Sequence, residues 1–255
     1  MPHSTILRST VALVTGASSG IGQATARRLA AEGATVVLVA RRQDRINTLA
    51  KEIAERDGHA VALAADLTDP AAAAGVVGAA VAQLGRLDML VNAAGVMLLG
   101  DAIGAPLPEW QQMVDINVKG LLYITKAALP HLVDAATTHP RQVADVVNIS
   151  SIAGRFAIPN AAVYNATKFG VTAATESWRQ EFARRNVRFS VVEPGLVETE
   201  LMGHQQAAVQ ERMTARFADV EQLHPDDIAE AVAYIVTSPR RRAVAEIVIR
   251  PTDQV

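Results

Sequence analysis

Short runs of apolar, β-branched residues alternate along this chain with longer stretches whose apolar positions recur every three or four residues. A short apolar run suits a strand buried on both faces of a sheet, and the longer periodicity suits a helix with one buried stripe. Their regular alternation predicts βαβ units around a parallel sheet. Seven strands are expected, at 11–15, 35–40, 60–65, 89–92, 146–149, 188–192 and 246–249. Helices are expected to begin near Gly20, Gln43, Pro70, Pro108 with Trp110, Asn160 and Pro225. The last start is well marked, because proline is tolerated in a first helical turn and Asp226 and Asp227 set negative charge against the helix dipole. The pattern is that of the α/β class: a doubly wound, seven-stranded parallel sheet with helices on both faces, folded as a single domain over 1–255.

Two stretches depart from the alternation. Residues 136–145 gather Thr137, Thr138, His139, Pro140 and Arg141, which reads as a polar surface loop before the fifth strand. Residues 196–223 leave the sixth strand with Met202, Gly203, His204 and a polar helical run, and a long excursion from the carboxyl end of a strand is expected to be a lid over a binding site.

Composition removes several classes of function. The chain has 255 residues, 50% hydrophobic and 20% charged, enough to bury a large core. Its net charge is −2 with both signs interspersed, and the arginine runs at 184–185 and 240–242 are short, so neither nucleic acid nor a membrane is expected as partner. Cysteine is absent, which excludes disulfides, thiol catalysis and thiolate metal sites and fits a reducing compartment. Residues 1–10 lack the basic start and apolar stretch of a signal peptide, and no 18 apolar residues run uninterrupted, so a soluble, cytoplasmic protein is expected. The histidines at 3, 59, 131, 139, 204 and 224 make no ligand spacing; each is expected at the surface or in packing, and no metal site is expected.

Candidate chemistry begins at the first strand end. Thr15-Gly16-Ala17-Ser18-Ser19-Gly20-Ile21-Gly22 joins that strand to the first helix, where glycines allow a tight turn and close approach of a pyrophosphate to the helix N-terminus. This makes the expected sheet Rossmann-type. At the end of the second strand, where a carboxylate would bind the adenosine ribose, the chain reads Val39-Ala40-Arg41-Arg42. Two guanidiniums there suit a 2′-phosphate and favour NADP over NAD. Asp66 ends the third strand and Asn92-Ala93-Ala94-Gly95 the fourth, again at carboxyl ends where ligands bind in open α/β sheets.

Tyr164 and Lys168 stand four residues apart in Val163-Tyr164-Asn165-Ala166-Thr167-Lys168, so on a helix they share a face. A nearby ammonium favours the phenolate, and the pair is expected to lower the tyrosine pKa and exchange a proton with a substrate.

Together these residues resemble the short-chain dehydrogenase/reductase family over essentially the whole length. The glycine turn at 15–22, Asn92-Ala93-Ala94-Gly95, Asn117 in Asp115-Ile116-Asn117-Val118, Ile149-Ser150-Ser151, Tyr164 with Lys168, and Pro194-Gly195 follow that family's order. Departures are small: Ala93 stands where a second Asn is common, Thr167 precedes the lysine where Ser is commoner, and 136–145 is longer than usual. Stretches 92–100, 150–155, 160–164 and 249–254 further resemble the NADPH-dependent branch that contains clavulanic acid dehydrogenase, an aldehyde reductase, together with 3-hydroxy acid dehydrogenases.

The resemblance implies an NADP(H)-dependent oxidoreductase interconverting a small-molecule carbonyl and an alcohol. It implies Tyr164 as general acid/base, Ser151, thirteen residues earlier, as the hydrogen-bond donor to the substrate oxygen, Lys168 as support for the phenolate and the nicotinamide ribose, and Asn117 as holder of a water next to Lys168. The implied cofactor-binding residues are Gly16, Ser18, Ser19, Gly20, Ile21, Gly22, Arg41, Arg42, Asp66, Leu67, Asn92, Ala93, Gly95, Tyr164, Lys168, Pro194, Gly195, Val197 and Thr199. A homotetramer is implied, with helices at 110–129 and 160–184 pairing across two-fold axes; apolar residues such as Leu121, Leu122, Phe169 and Trp178 suit that interface or the core of a single chain equally. Substrate-pocket walls are expected from 96–99, 152–158 and 196–217, mostly apolar, with Leu98 and Phe156 among them and Arg155, His204 and Gln205 as polar contacts. Reduction of a C=N or C=C bond, or nucleotide sensing without catalysis, are the alternatives on the same scaffold.

Overall fold

The structure is a computed structural model that describes residues 6–254, so His3 lies outside the described residues. Seven parallel strands form one sheet in the order β3-β2-β1-β4-β5-β6-β7. They are β1 (Val11–Thr15), β2 (Thr35–Ala40), β3 (His59–Ala64), β4 (Met89–Asn92), β5 (Ala144–Ile149), β6 (Val187–Pro194) and β7 (Glu246–Ile249). The chain winds outward from β1 to β3, returns to place β4 against β1, and continues outward to β7. The carboxyl ends of β1 and β4 therefore flank the point where the winding reverses, which is where such sheets open a crevice.

Strand periodicity explains why the strands read as unbroken apolar runs. Ala12, Val14, Val36 and Leu38 face one layer, made by α1 (Gly20–Ala31), α2 (Gln43–Ala54) and α8 (Pro225–Thr237). Val11, Leu13, Val37 and Val39 face the other, made by α3 (Pro70–Leu84), α5 (Leu121–Thr138) and α6 (Ala162–Phe182). With helices on both sides, alternate residues find an apolar partner either way. A third, smaller cluster, with Val96, Leu99, Met113, Tyr164 and Val209, lies beyond the carboxyl ends of the strands and builds the walls of the crevice.

Helix starts follow local chemistry. Asp69 caps α3 by accepting from Ala71 N at 2.9 Å with Pro70 in the first turn. At α8 the Asp227 carboxylate accepts from His224 N at 2.8 Å, as the two aspartates suggested.

Several boundaries differ from the sequence pattern. β3 starts and ends one residue earlier than expected, β5 starts at Ala144 and β6 runs on to Pro194. The helix expected at Pro108 begins as α4 (Leu107–Val114) and continues through a π-helical turn, Asp115–Gly120, directly into α5. The helix expected at Asn160 begins at Ala162, because Asn160 takes a left-handed conformation with φ 64°.

Residues 136–145 meet the surface-loop expectation only in part: Thr137, Thr138, Pro140 and Gln142 are exposed, but the rest of the stretch turns inward. Helix α5 extends to Thr138, and His139, Val143, Ala144 and Asp145 are buried. Their polar groups find partners inside: Asp145 accepts from Arg188 Nε at 2.7 Å and from Arg141 Nη2 at 2.8 Å, Arg141 Nη2 also reaches Val236 O at 2.6 Å, and His139 Nδ1 accepts from Arg141 N at 3.0 Å. A polar segment can be buried when most of its groups are satisfied in this way; among the described residues of this stretch Arg141 Nη1 is the exception.

Candidate active site

The turn after β1 is shaped by what no side chain could occupy. Gly16 has φ +66°, and a Cβ there would lie 2.8 Å from Ala94 Cα; a Cβ on Gly22 would lie 2.4 Å from Gly16 O. Both contacts are with backbone, which cannot move aside, so glycine is required for the β1 turn to meet the segment after β4. Thr15 completes that join: its Oγ1 accepts from Ala93 N at 3.0 Å and Ala94 N at 3.2 Å. Helix α1 then begins with Ser19 at its N-cap, no side chain capping it and no acid in its first turn. Its free amide donors suit an anion.

This turn forms one end of a cleft of about 560 Å³ that runs along the carboxyl edge of the sheet. Of the residues expected to act in cofactor binding or catalysis, all but Asn117 line it. At the far end of β2, Arg42 spans the cleft mouth, donating from Nε and Nη2 to Ser18 Oγ at 3.1 and 2.9 Å and from Nη2 to Ser19 Oγ at 2.8 Å. Arg41 is exposed and contributes to holding Asp66 ionised, although the larger cause is hydrogen bonding from Thr68 N and then its hydroxyl, which keep that carboxyl below its usual range. Asn92 points inward, donating to Thr125 Oγ1 at 3.0 Å and Asn148 Oδ1 at 2.9 Å.

At the other end, α6 presents Tyr164 and Lys168, both buried, with the Lys168 ammonium 5.8 Å from the tyrosine ring centroid. Burial pushes the Tyr164 phenol up to about 12, against a hydrogen bond with Ser151 that acts in the lowering direction. Burial also pulls the Lys168 ammonium down to about 8. The direction is opposite to the expected lowering: burial sets the tyrosine's shift, and Lys168 turns its Nζ to Ile149 O at 3.0 Å.

The two serines separate clearly. Ser151 precedes a 3-10 turn (Ile152–Gly154), accepts from Ala153 N at 3.1 Å, and meets Tyr164. Ser150 is buried behind it, donating to Lys168 O at 3.1 Å and meeting Thr172 Oγ1 at 3.0 Å. Asn117 sits on the π-helical turn with both amide atoms engaged: Oδ1 accepts from Val96 N at 2.8 Å, and Nδ2 donates to Val96 O at 2.8 Å and Thr167 Oγ1 at 3.2 Å. Its side chain joins the β4 loop to α6, with both amide donors engaged.

Residues that spacing did not single out position this end. Asn165 ties the loop after Ser151 to α6, donating to Ala153 O at 2.6 Å and Phe156 O at 2.8 Å and accepting from Ile158 N at 3.2 Å. Glu193, fully buried, accepts from Thr172 Oγ1 at 3.0 Å and pairs with Arg155, which also pairs with Glu246. The only sequence signal for either is a polar residue in an otherwise apolar position.

Val96, Met97, Leu99, Ile152, Leu196 and Met202 line the apolar walls, with Met213 and Phe217 from α7 (Ala207–Arg216) and just after it. Four expected contributors do not belong. Leu98 packs toward Trp110, and Phe156 is exposed beneath the Arg250 guanidinium. Arg155 is taken by the two glutamates, and Gln205 is buried, donating to Met97 O at 2.5 Å and accepting from Leu99 N at 2.8 Å. Of the three expected polar contacts, His204 alone faces the cleft.

The sequence profile of short chain dehydrogenases matches residues 10–210. The chain belongs to the short-chain dehydrogenase family. It is 35% identical over 247 residues to an uncharacterized oxidoreductase of Staphylococcus aureus (strain MRSA252), covering 97% of this chain and 99% of that protein. It is similar to the crystal structure of a metagenomic short-chain oxidoreductase in complex with NADP, at 33% identity and a TM-score of 0.81 over 97% of this chain and 99% of that one. It is also similar to 3-ketoacyl-(acyl-carrier-protein) reductase from Brucella melitensis complexed with NADH, at 32% identity and a TM-score of 0.83 over 98% and 100% of the two chains.

As a short-chain dehydrogenase the protein is an oxidoreductase, and its cleft fits a dinucleotide on its own evidence. The glycine cradle leaves no room for side chains where a pyrophosphate would pass, the α1 amides are uncapped, and a guanidinium stands at the β2 end. Among the described residues no cluster could hold a metal ion, and no helix is long and apolar enough to cross a membrane.

Proposed function

We propose that this short-chain dehydrogenase is an NADP(H)-dependent carbonyl reductase and alcohol dehydrogenase. One observation carries the reading: a buried Tyr164 beside Ser151 lies in the same cleft as the glycine turn and Arg42. The bound cofactor would supply or take the hydride at the carbonyl carbon. A phenol held protonated is the form that gives a proton to the oxygen during reduction, so negative charge there is quenched as it develops. Ser151, already within reach of Tyr164, donates to the same oxygen and fixes its direction. The Lys168 charge beside the ring favours the phenolate that remains until a proton from solvent restores the phenol. The surrounding apolar walls exclude water and suit a medium-sized, partly hydrophobic aldehyde or ketone, with His204 as the polar contact.

Support for NADP(H) over NAD(H) comes from Ala40 and Arg42: there is no carboxylate on β2 for the ribose, and a guanidinium is fixed by two serines beside it. The resemblance of residues 92–100 and 150–155 to the branch containing clavulanic acid dehydrogenase and 3-hydroxy acid dehydrogenases supports carbonyl and alcohol chemistry without selecting one substrate. We read the chain as one domain with residues 196–223 as its lid, working as a soluble, cytoplasmic homotetramer. Binding of NADPH and NADH to wild type and Arg42→Ala tests the cofactor assignment. Wild type should bind NADPH more tightly, and the variant should lose at least about tenfold for NADPH and little for NADH. Equal binding of both by wild type would overturn it.

A further inference from the structure

The first residue of the excursion's 3-10 turn, Glu200–His204, is an acid with no part in the proposed chemistry. Thr199 before it lies against Gly20, where an added Cβ would come within 3.0 Å of the threonine methyl, so the turn starts directly over the glycine loop. The Glu200 oxygens divide between two cations of the facing wall: Oε2 accepts from Arg42 Nη1 at 2.8 Å, and Oε1 accepts from Arg45 Nη1. Those two bonds, Arg45 first, hold the carboxyl down to about 2, so it stays ionised at any working pH. Arg42, the group best placed to grip a phosphate on the adenosine ribose, thus already has an anion. All three side chains are partly exposed, at 42% for Glu200, 40% for Arg42 and 45% for Arg45, so exchanging one anion for another is not opposed by burial.

We propose that Glu200 is a specificity-determining residue for the cofactor: an internal anion that occupies Arg42 and Arg45 until a 2′-phosphate displaces it. The inference rests on assigning NADP(H) to this cleft. A phosphate brings more charge and more acceptor oxygens than a carboxylate, so it wins the exchange once the rest of the nucleotide is seated. A nucleotide without it leaves Glu200 in place. Glu200 therefore reduces the margin by which 2′-phosphorylated nucleotides are preferred, and it links their arrival to the turn 200–204. At the far end of that turn Gln205 remains bound to Met97 and Leu99, so displacement loosens the turn from its N-terminal side.

The test is calorimetric titration of wild type, Glu200→Gln and Arg42→Ala with 2′,5′-ADP and with 5′-AMP, which differ only in the 2′-phosphate. Amide hydrogen exchange at 200–204 is followed in wild type. Glu200→Gln should bind 2′,5′-ADP about three- to tenfold more tightly and 5′-AMP within about twofold of wild type. Exchange at 200–204 should rise with 2′,5′-ADP and not with 5′-AMP. Unchanged or weaker 2′,5′-ADP binding by a Glu200→Gln protein of normal melting temperature would overturn the role of Glu200, as would tighter binding without the exchange response. If Arg42→Ala still loses at least about tenfold for 2′,5′-ADP, that failure leaves the NADP(H) assignment standing. An Arg42→Ala protein that binds both nucleotides as wild type does would remove the assignment and the inference together.

Discussion

Burial holds the proton on Tyr164, up to about 12, while it draws Lys168 down to about 8, and the two shifts act on stability in different pH windows. Below about 8 the folded and unfolded chains both carry the Lys168 charge, and the whole desolvation cost weighs on the fold. Between there and the ordinary lysine value of 10.5 the unfolded chain holds more protons, so this group makes the fold more stable as pH rises. Tyr164 acts the other way from its ordinary 10.0 to about 12, where the folded chain keeps the proton and stability falls. Lys168→Met should therefore stabilise the protein at pH 7, by less than the full desolvation cost because the bond to Ile149 O is lost, while removing activity. The gain should fade as pH approaches 10.5; thermal melts across pH check this, and a lower melting temperature at pH 7 would contradict it. At this scale the sequence displayed Tyr164, Lys168, Ser151 and the glycines because their roles depend on local spacing. It did not display Asn165, Glu193 or the engagement of Asn117, whose partners are set by folding: Thr172 and Arg155 reach Glu193 from 21 and 38 residues away.

Among elements, the strands were legible because burial on both faces leaves an apolar run that little else produces, and the helices because capping residues mark their starts. Within 136–145 the burial of His139 and Asp145 is not legible in sequence, because Arg188, which neutralises Asp145, lies on β6 and Val236 O on α8. The excursion at 196–223 was legible in place but not in its attachments. Gln205 fastens it to the loop after β4 through Met97 and Leu99, and Gln254 accepts from Leu196 N at 3.0 Å at its base. Gln205→Ala removes both bonds to the loop and leaves two backbone groups to solvent. Hydrogen exchange should rise at 97–99 and 200–217, and KM for the carbonyl should increase more than kcat falls, since the bonds hold a wall of the pocket rather than the reacting groups. Unchanged exchange with an unchanged KM would mean the excursion is held elsewhere.

For the whole molecule, the exposed apolar residues bear on assembly. Of the residues that suit either an interface or the core, Leu121 and Trp178 serve the chain itself: Leu121 is buried at the cleft and Trp178 packs on Phe189 with ring centroids 5.6 Å apart. Phe169 on α6, 43% exposed, and Leu107 and Val114 on α4 are the apolar groups left at the surface of those helices. The proposed homotetramer would cover them, and light scattering at micromolar concentration should give four times the chain mass; a monomer would remove the proposal. The fold class was legible at this scale from alternation alone, whereas the chemistry needed residues from β1, β4, β5 and α6 brought to one edge of the sheet. That convergence is the centre of the account, and it is tested most directly by following NADPH consumption and alcohol formation over a panel of aldehydes and ketones with wild type and Tyr164→Phe. Wild type should convert at least one carbonyl with one alcohol formed per NADPH. Tyr164→Phe should lose at least about 10²-fold in turnover, as removal of a general acid does, while binding NADPH nearly as before. A Tyr164→Phe protein with near-normal turnover, or a wild type that binds NADPH and reduces no carbonyl, would contradict it.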